Sequence, residues 1–174
     1  MNFSNISNFN NVNDFIPIIS SIFVVEAIII FVIFKFLKSS KAKEWYNKFG
    51  LTAVLCDTLI LLIGFIITRF LYNKVFSEFS IIKFIILFLI VQTVHDLLFY
   101  YLIVKPFPVG TNSVMDLFKE YGNEVGAGSY IGNSAMVILS SLLASLFVTN
   151  NVNTNIIVIV LCVYLYTYLI NIKA

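Results

Sequence analysis

The chain has 174 residues, of which 60% are hydrophobic and 11% charged, and its mean hydropathy is +0.96. Soluble domains carry about a quarter charged residues, so a chain this poor in charge cannot coat itself for water. Its net charge of +2 is too small to argue for nucleic-acid binding, and its length suits one helical unit without a separate soluble domain.

Residues 1–14 are rich in Asn and Ser and lack the basic stretch of a secretory signal, so they read as a flexible tail. A first apolar segment runs over about 15–37, with Pro17 in its first turn, where a missing N–H is harmless. It ends among Lys35, Lys38, Lys41 and Lys43, followed by Glu44, Trp45, Tyr46 and Lys48. A second segment covers about 49–72 and a third about 81–104, which Pro106 and Pro108 stop. The fourth and fifth, about 130–148 and 155–172, are joined by the short link TNNVNTN, which predicts an antiparallel hairpin. Lengths near 20 apolar residues suit membrane crossing.

Between the third and fourth segments, 113–128 alternates at the helical period. Val114, Leu117, Phe118, Tyr121 and Val125 share one face, and Asp116, Lys119, Glu120, Asn123 and Glu124 the other. Ser113 with Asp116 resembles a capping box. The predicted fold is an all-α integral membrane protein: a five-transmembrane-helix bundle in residues 15–174, with this amphipathic helix on the cytoplasmic side.

Placing the first loop inside puts Lys35, Lys38, Lys41, Lys43, Lys48, Lys105, Lys119 and Lys173 on the inner side and Arg69, Lys74 and Lys83 outside. That imbalance predicts an outside N-terminus and a cytoplasmic C-terminus. Arg69 reads as snorkelling to the outer headgroups. Trp45, Tyr46, Tyr100, Tyr101, Tyr164, Tyr166 and Tyr168 read as an aromatic belt, with Tyr164, Tyr168 and Asn171 able to face inward. Cys56 and Cys162 lie in apolar runs and read as small buried hydrophobes.

Against this background Glu26, Asp57, Gln92, His95 and Asp96 stand out, each inside an apolar segment. An ionised group at bilayer depth costs roughly 2.5–3.5 kcal/mol on insertion scales, so each needs a partner, a proton or a function. Helix rise places Asp57 roughly 12 Å, His95 and Asp96 roughly 12–14 Å, and Glu26 about 16 Å from the inner ends of their segments. All could share one midplane layer. As a structural clasp, the layer fixes helix register, with His95 bonded to Asp57 or Asp96. As a functional site, it binds or conducts a proton or small cation, because burial and histidine both bring proton exchange near neutral pH. If a metal binds, Asp57, His95 and Asp96 supply oxygen and imidazole ligands for a hard or borderline ion.

The sequence holds no H-E-x-x-H, no G-x-S-x-G elbow and no paired thiols. Its single histidine excludes multi-histidine di-iron boxes. The expectation leans away from an enzyme, and no cofactor is implied.

The stretches EWYNKFGLTAVLCDTLILLIG, VQTVHDLLFYYLIV and SVMDLFKEYGNEVGAGSYIGNSAMVILSSLLAS resemble uncharacterised multi-pass membrane proteins of large DNA viruses, over about Trp45 to Leu146. The resemblance implies a virion or host endomembrane location and carries no activity onto particular residues. It supports a second hypothesis: a structural or assembly protein, alone, as a homo-oligomer or with a viral or host membrane partner, that uses Leu117, Phe118 and Tyr121 as an interface.

Overall fold

A computed structural model describes residues 3–37, 40–125 and 127–172, with their side chains except at 40 and 121–130. Every regular element among the described residues is helical: α1 (Phe15–Phe36), α2 (Ser40–Phe49), α3 (Leu51–Val75), α4 (Ile81–Phe99), α5 (Ser113–Val125), α6 (Ala127–Phe147) and α7 (Val152–Leu169). A short 3-10 turn, Val12–Asp14, leads into α1, and a π turn, Tyr100–Val104, extends α4. Four stretches, Val12–Phe36, Leu51–Val75, Ile81–Val104 and Val152–Leu169, are long and apolar enough to cross a membrane. The predicted fourth span is represented by a shorter apolar helix, Ile131–Phe147, among the described residues.

α1 is the centre of the bundle. It packs chiefly on α6 and α7, then on α3 and α2, while α4 lies against α3 and α6. Fully buried Ser20 and Ser21 on α1, with Ser140 and Ser141 on α6, are small enough to let backbones approach. Their hydroxyls spend themselves on nearby carbonyls: Ser21 donates to Ile18 O at 2.7 Å and Ser141 to Val137 O at 2.7 Å. α3 and α4 meet at Gly64, where an added Cβ would lie 2.4 Å from Phe88 Cε2 and 2.7 Å from Gln92 Oε1.

One end of the bundle is closed by α2 and α5. The lysines of the α2 stretch suggest a basic loop. Yet Ala42, Trp45, Tyr46 and Phe49 keep the i, i+3, i+4, i+7 spacing, and the first three are buried. Gly50, with φ 53° and ψ −129°, turns the chain from α2 into α3, so the predicted second span begins at Leu51 rather than Phe49. α5 bears out the amphipathic helix in its first residues, but its cap is Asn112, not Ser113. The Asn112 side chain accepts from Val114 N at 2.9 Å and Met115 N at 3.2 Å. Asp116 instead accepts from Gly110 N, at 3.0 and 3.2 Å.

The other end departs from the expected flexible tail. Ile6 and Ser7 are buried, and Ser145 donates its hydroxyl to Ser4 O at 2.7 Å. Arg69 does not reach outward: it is fully buried, paired with Asp14 at 3.0 Å, and donates to Asn8 O and to Asn11 O at 2.9 Å. Its guanidinium carbon stands 4.8 Å from the Phe15 ring. A buried guanidinium needs acceptors, and the N-terminal carbonyls and Asp14 supply them to Nη2, tying residues 8–14 down as a strap, while Nε and Nη1 are buried without a partner.

Candidate functional site

Four side chains from three helices converge beneath the α2–α5 end. Glu26, in the middle of α1, is fully buried. Asp57, two turns into α3, is half-buried. α2 lays Trp45 and Tyr46 across them. The Tyr46 hydroxyl oxygen lies 2.9 Å from Glu26 Oε1 and 2.9 Å from Asp57 Oδ2, and the Trp45 indole donates to the same Asp57 oxygen at 2.9 Å.

Counting protons decides what this arrangement is. A phenol carries one hydrogen and can donate to one carboxyl only. The second 2.9 Å contact then needs a hydrogen from the carboxyl, donated to the phenol oxygen. Asp57 Oδ2 already accepts the indole N–H, so it is the natural anion. Glu26, sealed from solvent, is the natural acid, because an isolated buried charge is costly. The resulting order is Glu26 carboxylic acid, Tyr46 phenol, Asp57 carboxylate. Glu26 Oε2 is buried without a partner, which adds to the cost of charging that group. Burial, followed by the Asp57 and Glu26 carboxyls, pushes the Tyr46 phenol well above its ordinary 10.0, so it remains a donor.

Gln92, His95 and Asp96 form a second set. Asp96 Oδ1 accepts from Gln92 Nε2 at 2.8 Å and stands 3.2 Å from His95 Nδ1; its Oδ2 accepts from Asn133 Nδ2 at 2.9 Å. The His95 and Asp96 side chains are 25% and 24% exposed, so this set borders the bundle surface while Glu26 lies sealed inside. The His95 ring stacks on Phe99, with 6.1 Å between centroids and 5° between planes.

The single midplane layer is therefore corrected to two hydrogen-bonded sets, Glu26–Tyr46–Asp57–Trp45 and Gln92–His95–Asp96–Asn133. No three His, Cys, Asp or Glu side chains come together to hold a metal among the described residues, so the set Asp57, His95, Asp96 is not assembled. The physical reason is that depth is one coordinate only. Asp57 faces α1 and α2, whereas Asp96 faces α6, and both helices are apolar on nearly every face, so sequence periodicity gives no azimuth.

Leu117 is buried, and Phe118 lies against Trp45 and Phe99, with ring centroids 5.0 and 6.2 Å away, so this face of α5 is used within the chain. The side chain of Tyr121 lies outside the described residues. Tyr164 and Tyr168 are exposed and bond each other at 2.8 Å; Tyr166 faces inward and donates to Phe23 O at 2.6 Å. Trp45 and Tyr46, expected in the aromatic belt, are buried against the acid pair. The periodicity of α2 was the signal that could have turned them inward.

No family model, curated protein or solved structure matches the chain.

Proposed function

We propose that the chain is a five-span integral membrane protein, with its N-terminus outside and its C-terminus cytoplasmic, that binds and passes a proton at Glu26, Tyr46 and Asp57. The observation that carries this is the phenol oxygen held 2.9 Å from two carboxyls, one sealed and one half-buried. Such a row moves a proton without moving atoms far. Once Glu26 has given up its acid proton, a proton arriving at Asp57 passes to the phenol oxygen as the phenol passes its own to Glu26, which restores the resting order. A single shared proton needs no metal, and the two donors that converge on Asp57 Oδ2 occupy positions a cation would need.

Charge placement supports the orientation. Lys35, Lys41, Lys43 and Lys48 surround the α2 end. By the resemblance to viral membrane proteins, the membrane is that of a virion or a host organelle. An assembly role through Leu117 and Phe118 is disfavoured, because Leu117 is buried and Phe118 packs on Trp45 of α2 and Phe99 of α4.

Purified protein in proteoliposomes under an imposed pH gradient tests this, read by a trapped pH-sensitive dye. Parent protein should dissipate the gradient. Glu26→Gln and Asp57→Asn should not, and Asp96→Asn should behave as the parent. A parent without flux, or acid-pair variants with parent flux, would overturn it.

A further inference from the structure

The two donors that complete the acid site ride on α2, ten residues long among the described residues. α2 joins α3 through Gly50 alone, whose φ of 53° is open to glycine and strained for other residues. Its contacts with α5 are of two kinds. Lys41 bonds Glu44 on its own helix at 2.9 Å and reaches Glu120 on α5. The Trp45 ring packs on Phe118, which in turn meets Phe99. The first contact is exposed, and exposed ion pairs are weak and screened by salt. The second leaves Trp45 only 8% exposed and Tyr46 4% exposed.

Building on the proton-site reading, we infer that α2 is the inner gate of the Glu26–Asp57 site, pivoting at Gly50 and latched to α5 by Lys41–Glu120 and Trp45–Phe118. Tilting α2 away removes both donors from Asp57 in one movement and uncovers Glu26. The Glu26 acid can then release its proton to inner-side water, and the carboxylate regains one from water before the phenol returns. Closure restores the row with its proton count fixed. Gate and relay share Tyr46, so proton exchange with the inner solution requires the latch to open.

Trp45 is the single tryptophan of the chain, and its N–H touches the site, so fluorescence reports both protonation and opening. The charged groups around the latch are Lys41, Glu44 and Lys48 on α2 and Glu120 on α5. Near the acid pair, Cys56 is the chain neighbour of Asp57 on α3, and Tyr166 on α7 lies close to Glu26.

The test uses the full chain with Cys56→Ser and Cys162→Ala, to which Lys41→Cys and Glu120→Cys are added for oxidative cross-linking. After a pH jump, Trp45 fluorescence should relax quickly in the reduced form. The fast phase should be lost in the cross-linked form and return on reduction. Relaxation of the cross-linked form at the reduced rate would overturn the gate and leave the proton site standing. A parent with no pH-dependent Trp45 signal would overturn the proton site and the gate with it. Should the cysteine pair fail to fold, Lys41→Glu serves instead. Acrylamide quenching of Trp45 should rise in Lys41→Glu and fall back in Lys41→Glu with Glu120→Lys. Unchanged quenching in the single variant would overturn the latch.

Discussion

Glu26→Gln and Asp57→Asn are the same chemical change, yet the site geometry predicts unequal consequences for stability. Two donors, the Trp45 indole and the Tyr46 phenol, end on Asp57 Oδ2 at 2.9 Å each. Hydrogen bonds to a charged acceptor contribute about 1.5–3 kcal/mol each, against about 0.5–1.5 for neutral pairs. Neutralising Asp57 therefore costs about 1–1.5 kcal/mol per bond, or about 2–3 kcal/mol for the two. Glu26 is different, because its acid form already donates to the phenol. A Gln amide at that position places an N–H where the acid hydrogen stood, so Glu26→Gln should change stability by less than about 1 kcal/mol. Tyr46→Phe should be worse than either. It newly orphans Glu26 Oε1, since Oε2 has no partner in the parent, at about 1–3 kcal/mol, and takes one charge-assisted bond of about 1.5–3 kcal/mol from Asp57. The assay is reversible unfolding by rising SDS fraction in mixed micelles, followed by Trp45 emission. The refuting result is the reverse order, with Glu26→Gln more damaging than Asp57→Asn, since Glu26 would then be the anion.

Three further outcomes follow from the packing. Gly64→Ala should lower stability by about 1–3 kcal/mol, because the new methyl overlaps fully buried Phe88, itself edge-on to Phe65 at 4.6 Å; a thermal melt equal to the parent would contradict this. Arg69→Met strands Asp14 and frees the strap carbonyls, a loss of roughly 3–5 kcal/mol for breaking a buried pair; protease cleavage within residues 3–14 should accelerate. The latch should hold only between two pH limits. The Lys41 hydrogen bond keeps Glu120 below its ordinary 4.5, so that contribution is present above 4.5 and lost as pH falls through the depressed value. Glu120, then Glu44, raises Lys41 above its ordinary 10.5, so its contribution is present below 10.5 and lost as pH rises through the raised value. Acrylamide quenching of Trp45 should increase beyond both limits, and a flat profile matching Lys41→Met would contradict the latch.

Much of the fold was legible because length and breakers dominate it. Pro106 and Pro108 end the helical run at Val104 as expected, and the polar link 149–151 turns α6 into α7, with Asn151 capping Thr154 N at 2.7 Å. Azimuth was not legible. α3 and α4 carry Leu, Ile and Phe on almost every face, so nothing in the period says that Asp57 turns toward α1 and α2 while Asp96 turns toward α6. The strap was missed for a related reason. A run of Asn and Ser reads as solvent-seeking, and only Arg69, with its need for acceptors in an apolar helix, marks where such a tail must fold back. α2 was hidden by its lysines. Composition flagged a basic loop, while the spacing of Ala42, Trp45, Tyr46 and Phe49 carried a helix whose aromatic face completes the site.

The most direct measurement is infrared spectroscopy of the protein in lipid at neutral pH, comparing parent, Glu26→Gln, Asp57→Asn and Asp96→Asn. A protonated buried carboxyl gives a C=O stretch separate from carboxylate bands. The parent should show it, Glu26→Gln should lose it, and Asp96→Asn should keep it. A parent without that band, or a band lost with Asp96→Asn and kept with Glu26→Gln, would contradict the shared proton at Glu26, Tyr46 and Asp57.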